Sequence, residues 1–277
     1  MGDVVPFERF RDGHLILVPV RVGGSVPARF VLDTGIGLPL LSRALCGRLG
    51  FEPTGGVFTG RRMSGQAIAT PLTQVSSLSV GPYRKENVVA GMLDSPGLFP
   101  EGSGIEGFLG PQFFEPWPFA INSVSRTLRI ERGAPLPERP AIPVEAPLTV
   151  ERDGPSVSLF VDLRLPSGDA AKVEVDTGSD TLILHTRYMR KLGVDPDWEG
   201  IRKRSGTDDT GHPYTRYFAS LHGDVSLRDA PRAVQHDPEV MFQEIIYDGL
   251  LGDAFLRSFD VTYDLARGRI RFADPSG

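Results

Sequence analysis

Apolar positions come in short runs separated by glycine, proline and polar residues, and no run has the length or the period of a long helix. Two runs resemble each other: Ala28-Arg29-Phe30-Val31-Leu32 and Ala171-Lys172-Val173-Glu174-Val175. Both place apolar side chains at every second position, the spacing of a strand with one buried face. Each is preceded by a further strand, residues 15–22 and 157–165, and each is followed by a second apolar run, residues 38–41 and 181–184. A short helix is predicted next. In the first half it covers residues 42–49, with Ser42 as its N-cap and Gly50 just past its end. In the second half it covers residues 186–192, with Gly193 as the stop. Leu45, Leu49 and Leu192 are expected to face the core. Closing strand pairs follow at Phe119–Asn122 with Thr127–Ile130, and at residues 259–263 with 269–272. The 32 glycines and 24 prolines suit many strands joined by turns. The expected fold class is all-β with short helices.

The resemblance between the halves extends beyond these runs. Asp33-Thr34-Gly35 and Asp176-Thr177-Gly178 stand 143 positions apart. Gly107-Phe108-Leu109-Gly110 and Gly249-Leu250-Leu251-Gly252 end 77 and 76 positions after their aspartates. A further 12 positions lead from each final glycine to Asn122 and Asp264, and 20 lead to Ile130 and Phe272. One Asp-Thr-Gly is commonly a plain turn, with the aspartate as a cap. Two copies in register, each with its own apolar-Gly partner, indicate a duplicated domain of about 135 residues. The proline-rich stretch from Gly133 to Pro143 resists both helix and sheet interior and reads as a semi-rigid linker. The expected organisation is a lobe at 1–135, a linker at 136–147 and a second lobe at 148–277.

The doubled set of Asp-Thr-Gly and apolar-apolar-Gly motifs resembles the aspartic peptidases, specifically a single-chain, two-lobed member with retropepsin-like halves of the bacterial type. The resemblance covers nearly the whole chain. It implies two β-barrel lobes related by a pseudo-twofold axis, each with its Asp loop crossed by the apolar-Gly strand. It implies that Thr34 and Thr177 bond across to the opposite loop. It also implies catalysis by Asp33 and Asp176 on a peptide or protein substrate bound in extended conformation, with no metal and no cofactor.

That chemistry has a physical basis in the residues themselves. Two adjacent carboxyls resist ionising together, so they hold one proton between them. The ionised member takes a proton from water, and the protonated member stabilises charge on the scissile carbonyl. Gly35 and Gly178 let each backbone turn tightly and bring its amides to the carboxylates, and Gly110 and Gly252 allow close approach of the crossing strands. Ser179 follows the second motif where Ile36 follows the first. A hydrogen bond from the Ser179 hydroxyl to its carboxylate is therefore expected, making Asp176 the more often ionised.

Two glycine-flanked hairpins, residues 60–65 and 206–211, read either as flaps over a cleft or as ordinary turns. The flap reading assigns Phe58, Met63, Ser64, Gly65, Asp209, Thr210, Gly211 and Tyr214 to substrate binding. Neither tip carries a tyrosine, although Phe58 and Tyr214 lie close by.

Composition narrows the rest. The net charge of −5 divides as +2 over residues 1–135 and −7 over residues 136–277, so neither half is a basic footprint for nucleic acid. Arg61-Arg62 and Arg202-Lys203-Arg204 read as solvated loop charges. No apolar stretch approaches the ~20 residues that span a bilayer, and the start of the sequence lacks the basic and apolar blocks of a secretory signal. The expected compartment is cytoplasmic for a full-length chain, or periplasmic or secreted if an export signal was removed. Cys46, the single cysteine, excludes an internal disulfide and reads as a quiet, partly buried thiol. The five histidines lack paired ligand spacing. Gly102-Ser103-Gly104-Ile105-Glu106-Gly107 has the dinucleotide-loop pattern but leads into the apolar-Gly strand, so it reads as a loop.

The leading functional reading is thus an aspartic endopeptidase for which a monomer suffices. With 32 residues ahead of Asp33, an inhibitory prosegment within the chain is not expected. The alternative is a catalytically silent peptide-binding or regulatory module on the same scaffold. Retention of two mutually repelling carboxylates argues against it.

Overall fold

A computed structural model describes residues 3–10, 13–95, 97–131, 144–208 and 211–276. Among them the chain is mostly β-strand, with two short α-helices, Arg43–Leu49 and Asp253–Leu256. The all-β class follows from the alternating runs.

Both halves of the chain build the same succession of strand pairings. In the first, Val26–Leu32 lies antiparallel to Leu15–Val22 and parallel to Ile105–Leu109. Ile105–Leu109 is antiparallel to Leu40–Ser42, which is parallel to Tyr83–Leu93. Tyr83–Leu93 pairs with Ala67–Val80, and that strand with Pro53–Arg61. In the second half, Ala170–Val175 lies antiparallel to Ser156–Arg164 and parallel to Gly249–Leu251. Gly249–Leu251 is antiparallel to Leu182–His185, which is parallel to Glu239–Gln243. Pro213–Ser220 and Arg202–Thr207 complete the series. The halves differ where the first runs one 14-residue strand, Ala67–Val80, and the second sets off a separate pair, Asp224–Leu227 with Val234–His236.

A third sheet draws strands from both halves. Phe119–Asn122 pairs antiparallel with Asp260–Asp264, Phe119 opposite Tyr263 and Ile121 opposite Val261. The Phe119 and Tyr263 rings stack at 4.7 Å, and Phe114 stacks on Phe119 at 4.2 Å. The apolar core is therefore continuous across the halves. Arg9 adds a polar strut: its guanidinium donates to Asp253 Oδ1 at 2.8 Å and to Ser123 Oγ at 2.6 Å.

Three expectations change. Of the expected linker, residues 136–143 lie outside the described residues. Val144–Pro147 is a strand, paired with Arg269–Ala273 at the edge of the joining sheet. Proline is tolerated there because an edge strand needs no inward N–H from it. The second predicted helix is two 3-10 turns, Thr186–Tyr188 and Arg190–Leu192, ended by Gly193 at φ 73°. His185 Nδ1 accepts from the Arg187 amide at 3.0 Å, two residues on, which favours the tighter 3-10 turn, whereas Ser42 Oγ in the first half accepts from an amide three residues on. Cys46 is fully buried, and burial pushes its thiol pKa up, which deepens its inertness. The first helix forms as expected: Ser42 Oγ accepts from the Leu45 amide at 3.2 Å and Gly50 closes it at φ 69°.

Candidate active site

The two Asp-Thr-Gly loops leave the ends of strands Val26–Leu32 and Ala170–Val175, and each is tied to its apolar-Gly strand. The Asp33 amide donates to Leu109 O at 3.0 Å, and the Asp176 amide to Leu251 O at 3.1 Å. Of the glycines that follow those strands, Gly252 leaves no room for a side chain and Gly110 leaves little. A Cβ on Gly252 would lie 2.3 Å from Thr181 O and 2.8 Å from Ser179 O, and one on Gly110 would lie 3.1 Å from Gly37 C. Gly252→Ala is therefore expected to push the second loop away. Overpacking of this kind costs about 1–3 kcal/mol, and a denaturant titration reads it directly.

The loops grip each other reciprocally. The Thr34 amide donates to Thr177 Oγ1 at 3.0 Å, and the Thr177 amide donates to Thr34 Oγ1 at 3.0 Å. Each hydroxyl then donates onward into the opposite strand, Thr34 to Val175 O at 2.6 Å and Thr177 to Leu32 O at 3.0 Å. Both threonines are buried. Gly35 and Gly178 have a second use beyond turning. A Cβ on Gly35 would sit 2.7 Å from Asp176 Oδ1, and one on Gly178 would sit 2.5 Å from Asp33 Oδ2. Each aspartate thus packs against the glycine of the opposite loop.

Asp33 and Asp176 stand side by side and hydrogen-bond through their carboxyls. Burial raises the pKa of both, Asp33 the more. The Asp176 charge raises Asp33 further, and the amide of Gly35, donating at 2.9 Å to Oδ1, lowers it only in part. Asp176 is restrained by the Gly178 amide at 2.8 Å, by the bond from Asp33 and by the Ser179 amide. Burial and mutual charge thus oppose ionisation of both carboxyls together, so the pair holds one proton between them. The expected hydroxyl contact does not form: Ser179 Oγ reaches Thr181 O at 3.4 Å, and it is the Ser179 amide that faces the carboxylate. The turn aims the main chain, not the side chain, at the acid.

A third acid lies beside the pair. Glu174, two residues before Asp176, is buried. Burial first, then the Asp176 charge, raises its pKa well above the usual carboxylate range, and the Ser158 hydroxyl relieves it only partly. The alternating pattern of residues 171–175 gives Glu174 no role of its own. The signal was present in the repeat, where Glu174 falls at the position of Val31.

The two hairpins meet. The tip between Pro53–Arg61 and Ala67–Val80 carries Met63, Ser64 and Gly65. Met63 O accepts from the Ile246 amide at 2.9 Å, and Met63 packs among Ile183, Met241, Ile245 and Leu250 of the second half. Gly65 has φ +84°, with Ile246 against it. Arg62 Nε lies 3.8 Å from Asp208 Oδ2 on the other hairpin, so Arg62 is not the solvated loop charge expected. Arg202, Lys203 and Arg204 are exposed as expected, but they lie on a strand, where Arg202 and Lys203 sit over the Phe218 and Tyr217 rings. Of the other expected flap residues, Phe58 packs with the first-half apolar cluster around Val31, Leu38 and Phe108. Tyr214 lies under the Arg216 guanidinium at 4.2 Å. Gly211 turns at φ 81°, and Asp209 and Thr210 lie outside the described residues. A cleft of about 880 Å³ opens beside these tips, lined by Ser64, His185, His212, Tyr214, Tyr217 and Gln243 among others.

An acid and its conjugate base held together in this way can donate a proton to one atom while removing one from another. No helix among the described residues is long and apolar enough to cross a membrane. No curated protein matches the chain. Residues 18–113, about a third of the chain and the part that holds Asp33 and Gly110, match the family model described as aspartyl protease, which supports a peptidase function.

Proposed function

We propose that this chain is an aspartic endopeptidase with one composite site, formed by Asp33 and Asp176 from two lobes, residues 1–135 and 148–277, joined through residues 136–147. The observation that carries the reading is the carboxyl pair itself, Asp33 buried and Asp176 half-buried, hydrogen-bonded and braced by the reciprocal threonine contacts. Since both acids come from one chain, a monomer suffices.

The reaction starts with the shared proton on Asp33 and the charge on Asp176, which the Gly178 and Ser179 amides favour. Asp176 takes a proton from a water held between the carboxyls as the water oxygen bonds to the scissile carbonyl carbon. Asp33 gives its proton to the carbonyl oxygen. In the resulting diol, Asp33 recovers a proton from one hydroxyl, Asp176 delivers its proton to the amide nitrogen, and the C–N bond breaks. The products are a carboxylic acid and an amine. No covalent enzyme intermediate arises, and the titration of such a site belongs to the pair rather than to either residue.

The Met63 hairpin serves as a flap. Its tip rests on the second half through the Ile246 amide and the Arg62–Asp208 ion pair, so an extended substrate enters after the tip lifts and is covered when it returns. Exposed strand edges bind such a peptide by main-chain hydrogen bonds.

The test is a mixed peptide library incubated with the chain from pH 3 to pH 8, with products identified by mass spectrometry. Internal cleavage that disappears in Asp33→Asn is the expected result. Cleavage that persists in the variant would overturn the mechanism, and no cleavage by the parent would favour a silent peptide-binding module.

A further inference from the structure

The two halves present unlike surfaces on either side of the aspartate pair. In the first half, Val31 faces away from the core formed by Phe30 and Leu32, and joins Leu38, Leu40, Phe108 and the partly buried Ile36 and Phe58 in a separate apolar cluster. In the second half the core positions are Val173 and Val175, so Glu174 points to the corresponding face. Its register partner is Leu250, as Phe108 is that of Val31. Leu250 belongs to the second-half cluster with Ile183, Met241 and Ile245, and Phe218 and Tyr247 pack against it. A carboxyl therefore stands where the first half has a methyl-bearing side chain.

No Lys, Arg or His among the described residues forms an ion pair with Glu174. The charges that act on it are acidic, Asp176, Asp33 and Glu151, and its hydrogen-bond partner is the neutral Ser158 hydroxyl. The nearest cation by sequence, Lys172, is spent on Glu151 at 2.5 Å. A buried carboxyl among like charges is unfavourable until a cation reaches it. The surrounding apolar side chains match an aliphatic stem, so cluster and carboxyl together have the shape and polarity of a Lys or Arg side chain.

We propose that Glu174 is a specificity-determining residue that recognises a basic side chain next to the scissile bond, opposite an apolar residue held by the first-half cluster. The inference rests on the endopeptidase reading and adds the substrate class: peptides cut between an apolar and a basic residue. Met63 occupies the second-half cluster while the hairpin is down, so the basic side chain takes the space that the rising tip vacates.

The test uses one library randomised at the two positions flanking the cut, read with the parent, Glu174→Val and Glu174→Gln. The parent is expected to favour Lys or Arg over Leu at one of those positions by at least about tenfold in kcat/KM. Glu174→Val, which copies Val31, is expected to bring that ratio to one or below, and Glu174→Gln to reduce it. Thermal melting of each variant establishes that it is folded. Parent cleavage without basic enrichment, or enrichment that survives in both variants, overturns the Glu174 assignment while leaving the peptidase reading intact. A parent that cuts nothing in an Asp33-dependent way overturns both.

Discussion

Asp33→Asn and Asp176→Asn should each lower kcat/KM by about 10²–10⁴-fold or more, the range of a lost general acid or base. The double variant should be no worse than either single one, because residues that act as a unit do not add. The same substitutions should make the protein more stable at neutral pH. Burial and the neighbouring charge raise the pKa of Asp33 in the folded chain. Folding therefore favours its protonated form, and the contribution is fully present below the unfolded carboxylate pKa. It is lost as pH climbs through the raised folded value, where the buried pair is forced toward double charge. An amide has no such penalty. Calorimetry should show Asp33→Asn melting above the parent at pH 7 and level with it at pH 3. A variant that melts below the parent at pH 7 would mean that the carboxyl pair is not under electrostatic stress.

Thr177→Val should be the most destabilising conservative change in the loops. Valine keeps the shape of threonine but removes a hydroxyl that accepts from the Thr34 amide and donates to Leu32 O, both at 3.0 Å. Two buried main-chain groups lose that partner, each at a cost of about 1–3 kcal/mol. Against a typical total of about 5–15 kcal/mol this is a large share. Thr177→Ser, which retains the oxygen, should recover most of the loss. Urea titrations of the two variants compare them directly. Equal stability of Val and Ser would deny the hydroxyl its bracing role. Activity should follow stability, since a loop shift of about 1 Å misplaces a catalytic group.

Much of this was legible in the sequence because the determinants are local and doubled. The alternation at residues 28–32 and 171–175 marks two strands with one buried face. The glycines at 35, 110, 178 and 252 mark close approaches, each of which a Cβ would obstruct. What was not legible depends on contacts between segments far apart in the chain. Whether the Ser179 hydroxyl or its amide meets the carboxylate depends on the turn's main-chain path, which residue identity does not encode. Glu174 resembles a solvent-facing strand position until the strand of its register partner Leu250, with the cluster around Leu250, is in place. Arg62 has no local acid partner, and its ion pair with Asp208 exists only because two hairpins converge. The strand at Val144–Pro147 is likewise hidden by proline content, since only its edge position makes proline acceptable there.

The central claim is that one proton is held between two carboxyls contributed by opposite halves of the chain. Carboxyl-carbon NMR of aspartate-labelled protein, titrated from pH 2 to pH 9 and assigned with the two Asn variants, measures it most directly. The account predicts two widely separated steps that move both resonances, with Asp33 still protonated after Asp176 has ionised. Two independent single-step titrations near the ordinary aspartate value, each unaffected by substitution of the other residue, would contradict it.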